Sequence, residues 1–382
     1  MAKVEGTFED RFASVQKLLQ SYIDNGDELG ASLVVNIDGK DVVDIWGGYA
    51  DQDHSRPWKS DTITNVWSTS KTITSLAALV LIDRGQLDPF EKVAKYWPEF
   101  GANGKENVEV RHLLSHSSGV SGWAEKLTFD DVCDLEKSSA MLAAQAPWWE
   151  PGTASGYQSM SMGHLVSGVV RGVTGKTLGQ FITEELAKPL DADFQLGVRD
   201  EDLHRVSDNI PPPPPTEASP LMASLMDPNS LTSRTMLNPP IDGNIANTPV
   251  WRKAEVGAAN GHTNARGVNR LLSQISIGGG SLLSPKTIDL IFQTQTDGKD
   301  LVLGEHLRLG IGYGLTGKHT WMNWLPEGRI CMWGGWGGSV AIMDLDRKLT
   351  ITYAMNKMEN AGMGNDRTKA YVDEVYKVLG VE

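Results

Sequence analysis

The sequence predicts a mixed fold, α+β with α/β features. One antiparallel sheet is built from both chain ends with flanking helices, and a mostly helical lobe is inserted between them. Three observations predict it. Strand-like apolar runs bounded by turn residues fall before residue 50 and again after about residue 308. Residues 86–295 read mostly as helices and long loops, and a helical pattern closes the chain at 366–379. This division places 1–85 and 296–382 in a sheet domain and 86–295 in a helical domain, with a site expected between them.

The elements follow in order. Phe8, Phe12, Val15, Leu18, Leu19 and Tyr22 recur at helical spacing and predict an amphipathic helix over 7–24. Ala31–Ile37 and Lys40–Trp46 flank Asp38-Gly39, a hairpin signal. The extended run 63–67 precedes an apolar helix from Thr72 to Arg84, ended by Gly85. Helices are expected at Val110–Leu114, Phe129–Ala146, Met160–Gly172 and Leu178–Leu186. Pro211 to Pro215 cannot pair in a sheet and predicts an extended surface loop. The apolar stretch from Leu221 to Pro240 predicts a long irregular loop packed on the body. Strands are expected at Leu309–Leu315, Arg329–Trp333, Ser339–Leu345 and Leu349–Asn356, with Asp346-Arg347 in the last turn. Tyr371, Val372, Val375, Tyr376 and Leu379 mark the apolar face of the closing helix.

At 382 residues, two lobes are expected. Thirty-five basic against 48 acidic residues give a net charge of −13, which argues against nucleic acid or an anionic membrane as partner. No run of 18 apolar residues exists, so no membrane-spanning helix is expected. The charged first ten residues lack the apolar core of a signal peptide, and a cytoplasmic location is expected. Two cysteines, Cys133 and Cys331, make neither a metal cluster nor a disulfide framework. No metal or cofactor is expected, and Cys331 reads as core.

The chemistry concentrates at Ser68-Thr69-Ser70-Lys71. Residues three apart share a helix face, so Lys71 rises behind Ser68 and supplies the base a serine hydroxyl needs. At a helix start the Ser68 N–H also points outward, unpaired and partly positive. Ser14-Val15-Gln16-Lys17 repeats the pattern, but the predicted helix places Ser14 in its middle, where no N–H is free. Tyr157 is the one tyrosine followed two residues later by Ser or Asn, here Ser159. It falls on a loop before a helix, and a lysine nearby is expected to lower its pKa and make it a general base. Trp333-Gly334-Gly335-Trp336-Gly337-Gly338-Ser339 ends a strand with glycines, where another backbone or a ligand approaches closely. His112 and His116 sit at a helix end and are not assigned a base role. Asp130-Asp131 reads as a helix N-terminal charge pair.

The three motifs in this order, with tyrosine 89 positions after serine, resemble those of the penicillin-recognising serine hydrolases. The pattern is closest to class C β-lactamases, D,D-peptidases and family VIII carboxylesterases. Val110 to Gly119, Glu150-Pro151-Gly152, Gly163 to Val166 and Tyr353 to Asn356 are similar to further stretches of that superfamily. The resemblance implies a β-lactamase/D,D-peptidase-like fold with Ser68 as acylated nucleophile. It implies that Lys71 and Tyr157 share acid and base work, and that the N–H groups of Ser68 and Trp336 form an oxyanion hole. Ser159 matches the polar position of the tyrosine motif. Trp333 stands where the superfamily usually has Lys or His, which resembles some family VIII esterases. With Gly334, Gly335, Trp67 and Trp149 it is expected to line the substrate site. The expected function is hydrolysis of a small-molecule carboxylic ester. The alternatives are acyl transfer to an alcohol in secondary metabolism, a β-lactamase or D,D-peptidase-like amidase, and a silent acyl or peptide binder. Oligomeric state is not legible.

Overall fold

The computed structural model describes residues 2–214 and 219–381. Its strands, in chain order, are β1 (Glu5–Phe8), β2 (Gly30–Ile37), β3 (Lys40–Gly48), β4 (Thr64–Asn65), β5 (Phe194–Leu196), β6 (Gly261–Thr263), β7 (Thr296–Lys299), β8 (His306–Leu309), β9 (Gly314–Leu315), β10 (Ile330–Gly334), β11 (Val340–Asp344) and β12 (Leu349–Met355). Nine form one antiparallel sheet in the order β1-β3-β2-β12-β11-β10-β9-β8-β7. The two chain ends meet where β12 pairs β2, with Ile351 opposite Val35. The hairpin between β2 and β3 turns on Asp38 and Gly39, both left-handed at φ 51° and 84°, the conformation a two-residue hairpin needs. Every residue of β10, β11 and β12 is buried. Side chains alternate between faces. Val34 packs with Ala265 of the Ala265–Ser276 helix, while Leu33 and Val35 join the main core with Phe12, Leu19 and Tyr371.

The Ser70–Asp83 helix is buried from Ser70 through Ile82. It packs against the Ser161–Thr174 and Ala265–Ser276 helices. A helix covered on every side has no polar stripe to show: Leu76 to Ile82 are apolar without a break, and the polar residues of its first turns are buried as well. Arg84 and Gly85 (φ 67°) end it. β4, β6 and β5 form a second, three-stranded sheet beside its N-terminus, which the sequence analysis did not anticipate.

Several expectations change. Residues 7–8 lie in β1, paired with β3, and the helix starts at Ala13 after a 3-10 turn at Asp10–Phe12. The 129–146 helix is two, Phe129–Cys133 and Leu135–Ala144, because the Asp134 side chain caps the second through the Lys137 N–H at 3.1 Å. The 178–186 helix turns into a π-helix at Ile182–Ala187. The 309–315 run is broken between β8 and β9, and strands resume at Thr296 rather than near 308. The expected loop after Leu221 contains short helices at Pro220–Met226 and Leu231–Met236. Residues 211–214 of the proline run form neither helix nor strand; Pro215 lies outside the described residues. Among the described residues, no helix is long and apolar enough to cross a membrane.

Candidate active site

Ser68 lies in a 3-10 turn, Trp67–Thr69, that feeds directly into the Ser70–Asp83 helix. The preceding extended run is shorter than expected, since only Thr64–Asn65 is strand. Trp67 holds φ at 48°, a left-handed conformation that costs a bulky residue about 1–3 kcal/mol. Its indole packs against Trp251 and, edge-on at 5.1 Å, Trp336. These contacts hold the backbone in a conformation that local preference opposes.

One helical step on, Lys71 is 2% exposed. Its Nζ lies 3.0 Å from Ser68 Oγ, 2.7 Å from the Ser159 carbonyl and 2.9 Å from the Ala258 carbonyl. Among the described residues no carboxylate forms an ion pair with it, and burial pushes its pKa well below the ordinary lysine value. The decoy differs. Ser14 falls in the first turn of the Ala13–Asn25 helix, not its middle as expected, and Lys17 is exposed to water.

Tyr157 donates its hydroxyl to Ser68 Oγ at 2.7 Å, and the Lys71 ammonium nitrogen sits 4.8 Å from its ring centre. Burial pushes the Tyr157 pKa up to about 12, against the lowering effects of Ser68 and the Trp333 indole. This reverses the expected lowering: at neutral pH Tyr157 is a proton donor. Its backbone N–H is held by Asp300 Oδ1 at 3.0 Å. Ser159 enters the site through its carbonyl on Lys71.

The Trp333 ring lies 5.7 Å from Tyr157, and its buried Nε1 has no hydrogen-bond partner of full geometry. His116 packs against both rings, at 5.2 Å from Tyr157 and 5.6 Å from Trp333. Its Nδ1 accepts from the Gln158 N–H at 3.1 Å, and burial lowers its pKa to about 3, so it is neutral. It makes no hydrogen bond to Ser68. His112 instead caps its own helix by accepting from the Glu109 N–H.

The glycine motif meets the nucleophile turn. Gly334 ends β10, and a Cβ on Gly335 would stand 2.3 Å from the Val66 carbonyl oxygen, so only glycine lets these backbones touch. The N–H groups of Gly335, Gly337 and Gly338 are bonded to Ser339 O, Ala361 O and Gly335 O. Among the described residues the Trp336 N–H between them has no acceptor, and neither has the Ser68 N–H. Trp67 and Trp333 are buried packing groups, whereas Trp336 is partly exposed. Trp149 packs over Gly156, bonds Ala154 O at 3.0 Å, and so braces the turn that delivers Tyr157.

Sequence reasoning missed Ala258 and Asp300. The one signal for Ala258 was the small-residue run Gly257-Ala258-Ala259-Asn260-Gly261, where a Cβ on Gly257 would stand 2.5 Å from Leu178. An open cavity of about 730 Å³ between Trp97, Leu135 and Arg171 contains none of Ser68, Lys71 and Tyr157. Converging polar groups mark the candidate site; hollow volume does not.

An antiparallel sheet joined from both chain ends, flanked by helices, with serine, lysine and tyrosine converging at a buried helix start, has the form of the penicillin-recognising serine hydrolases. A sequence model of the Beta-lactamase family matches residues 15–375, and the chain belongs to that family. It is 36% identical over 282 residues to Esterase/beta-lactamase LipL of Mycobacterium tuberculosis, covering 72% of this chain and 65% of that protein. The chain thus spans just under two thirds of LipL. A crystal structure of a family VIII carboxylesterase superimposes with a TM-score of 0.90 at 35% identity, over 98% of this chain and 100% of that one. A penicillin-binding protein homologue from Caulobacter crescentus gives 0.87 at 32% identity, over 98% and 100%.

Proposed function

We propose that this protein is a serine hydrolase that cleaves small carboxylic esters through an acyl-enzyme on Ser68. The observation that carries the proposal is Lys71, buried without a carboxylate and 3.0 Å from the Ser68 hydroxyl. A neutral amine has two N–H donors and one lone pair. The Ser159 and Ala258 carbonyls take the two donors, which leaves the lone pair for the Ser68 proton. Ser68 Oγ attacks the ester carbonyl as Lys71 takes that proton. The unpaired N–H groups of Ser68 and Trp336 receive the oxyanion. Tyr157, protonated and already bonded to Ser68 Oγ, gives its proton to the departing alkoxide and recovers one from Lys71. Water then attacks the acyl group and loses its proton to Lys71, which returns it to the departing Ser68 Oγ, freeing the carboxylic acid and restoring the neutral amine.

Trp333 supports an ester over a β-lactam. An indole supplies no charge for a lactam carboxylate; the name of the similar family VIII carboxylesterase agrees with this preference, whereas LipL's name carries both esterase and β-lactamase. The experiment is hydrolysis of p-nitrophenyl butyrate by wild type and Ser68→Ala, with and without an added alcohol. Hydrolysis that vanishes in the variant supports the proposal. Turnover that appears only with the alcohol favours acyl transfer, and wild-type inactivity on every ester contradicts both.

A further inference from the structure

The two turns that present the free N–H groups are remote in sequence, and one hydroxyl joins them. Ser339 Oγ lies 2.9 Å from the Val66 carbonyl oxygen and 2.9 Å from Thr69 Oγ1. A hydroxyl carries one proton. Ser339 donates it to Val66, so Thr69 donates to Ser339. Val66 and Thr69 bracket Trp67-Ser68, while Gly335 and Ser339 bracket the segment of Trp336, which the Gly335 N–H closes on Ser339 O at 2.8 Å. Ser339 is fully buried and Thr69 is 1% exposed, so water does not compete for the bridge. On the outer side, Asn365 Nδ2 donates to Gly337 O at 3.1 Å and Thr368 Oγ1 to Gly338 O at 2.6 Å. The Trp336 segment is therefore clamped from both sides while its own N–H stays free.

We propose that Ser339 and Thr69 are positioning residues for the oxyanion hole: their hydroxyl bridge sets the separation of the Ser68 and Trp336 N–H groups. The inference rests on the acyl-enzyme mechanism proposed above. Neither side chain touches the reacting atoms. Both act by fixing two backbone donors that come from opposite ends of the chain, and an error of an ångström in such a constellation is costly.

The test compares an oxoester with its thionoester on wild type, Thr69→Val, Thr69→Ser and Ser339→Ala. A hole spaced for oxygen rejects the larger, weakly accepting sulfur, and a loosened hole rejects it less. Thr69→Val keeps shape and removes the hydroxyl; Thr69→Ser keeps the hydroxyl. In Thr69→Val and Ser339→Ala the oxoester kcat is expected to fall roughly 10- to 100-fold with KM changed less than about threefold. The oxo-to-thiono ratio of kcat/KM should fall about tenfold or more, and Thr69→Ser should recover both. If Ser339→Ala does not fold, the Thr69 pair supplies the answer. An unchanged ratio in Thr69→Val, whether or not its rate falls, overturns the positioning role. Wild-type enzyme without ester turnover overturns the mechanism itself and this inference with it, so the two failures are separate.

Discussion

Lys71 Nζ stands 3.0 Å from Ser68 Oγ, with backbone carbonyls rather than a carboxylate completing its surroundings. A carboxylate would hold the lysine charged. Carbonyls satisfy its N–H groups in either state, and burial then favours the neutral amine.

A pH profile follows, with its sign fixed by that environment. In the proposed mechanism the neutral form of Lys71 is the working base, so kcat/KM is expected to fall as pH drops through its lowered pKa. At the other end Tyr157 keeps its proton until about 12. A profile measured from about pH 5 to about pH 10 should rise on an acid limb well below the ordinary lysine value and then stay flat. His116, with a pKa near about 3, adds no limb in that range. A limb centred at the ordinary lysine value would contradict the account.

Lys71→Ala and Tyr157→Phe should each cost about 10²- to 10⁴-fold in acylation rate. Both groups bond the same oxygen, Ser68 Oγ, at 3.0 and 2.7 Å. Groups acting on one proton path lose most of their effect together. The double variant should therefore be little worse than the poorer single one in stopped-flow acylation. Full additivity would separate the two roles.

The proposed preference for esters assigns a role to the buried Trp333 at the start of the glycine motif. Wild type should turn over p-nitrophenyl butyrate with a higher kcat/KM than a chromogenic cephalosporin. Trp333→Lys should shift that ratio toward the cephalosporin by about 10- to 100-fold, since a charged hydrogen bond is worth roughly 1.5–3 kcal/mol. The ratio is the right quantity because Trp333 is only 3% exposed and the variant will be less stable. Folded fraction cancels from a ratio. Faster cephalosporin hydrolysis by wild type would place the protein among β-lactamases in activity.

A stability prediction lies behind the sheet. Glu28 and Arg367 form a buried pair at 2.7 Å, and the Tyr371 hydroxyl bonds Glu28 at 3.3 Å. Arg367→Met leaves a buried carboxylate and should cost about 3–5 kcal/mol in urea unfolding at neutral pH. Burial already raises the Glu28 pKa, and losing the arginine raises it further. The folded variant then binds a proton more readily than the unfolded chain, so its deficit should shrink on acidification. A deficit that grows in acid would show that Glu28 does not stay with Arg367 in the folded protein.

The parts of this protein legible in its sequence are those written in local pattern. The hairpin at Asp38-Gly39, the buried helix after Ser68 and the strands around Ile342 and Ile351 all follow from periodicity and turn residues. Ser68, Lys71 and Tyr157 were found by motif spacing, and the structure brings them into hydrogen-bond contact. Burial depth is not local. The rise in the Tyr157 pKa comes from desolvation by segments distant in sequence, which the proximity of a lysine could not reveal. Ala258 contributes only a carbonyl, which every residue has, so the small-residue run around it was its one signal and its role could not be read from it. β1 escaped notice because its four residues are exposed and Phe8 fits the helical period of the next element.

The central claim is that Ser68 carries the acyl group. Intact-protein mass spectrometry after rapid acid quenching with p-nitrophenyl butyrate, followed by peptide mapping, tests it most directly. A butyryl mass addition on the peptide containing Ser68, absent in Ser68→Ala and retained in Ser14→Ala, is the predicted result. An acyl group on another residue, or ester turnover undiminished in folded Ser68→Ala, would contradict it.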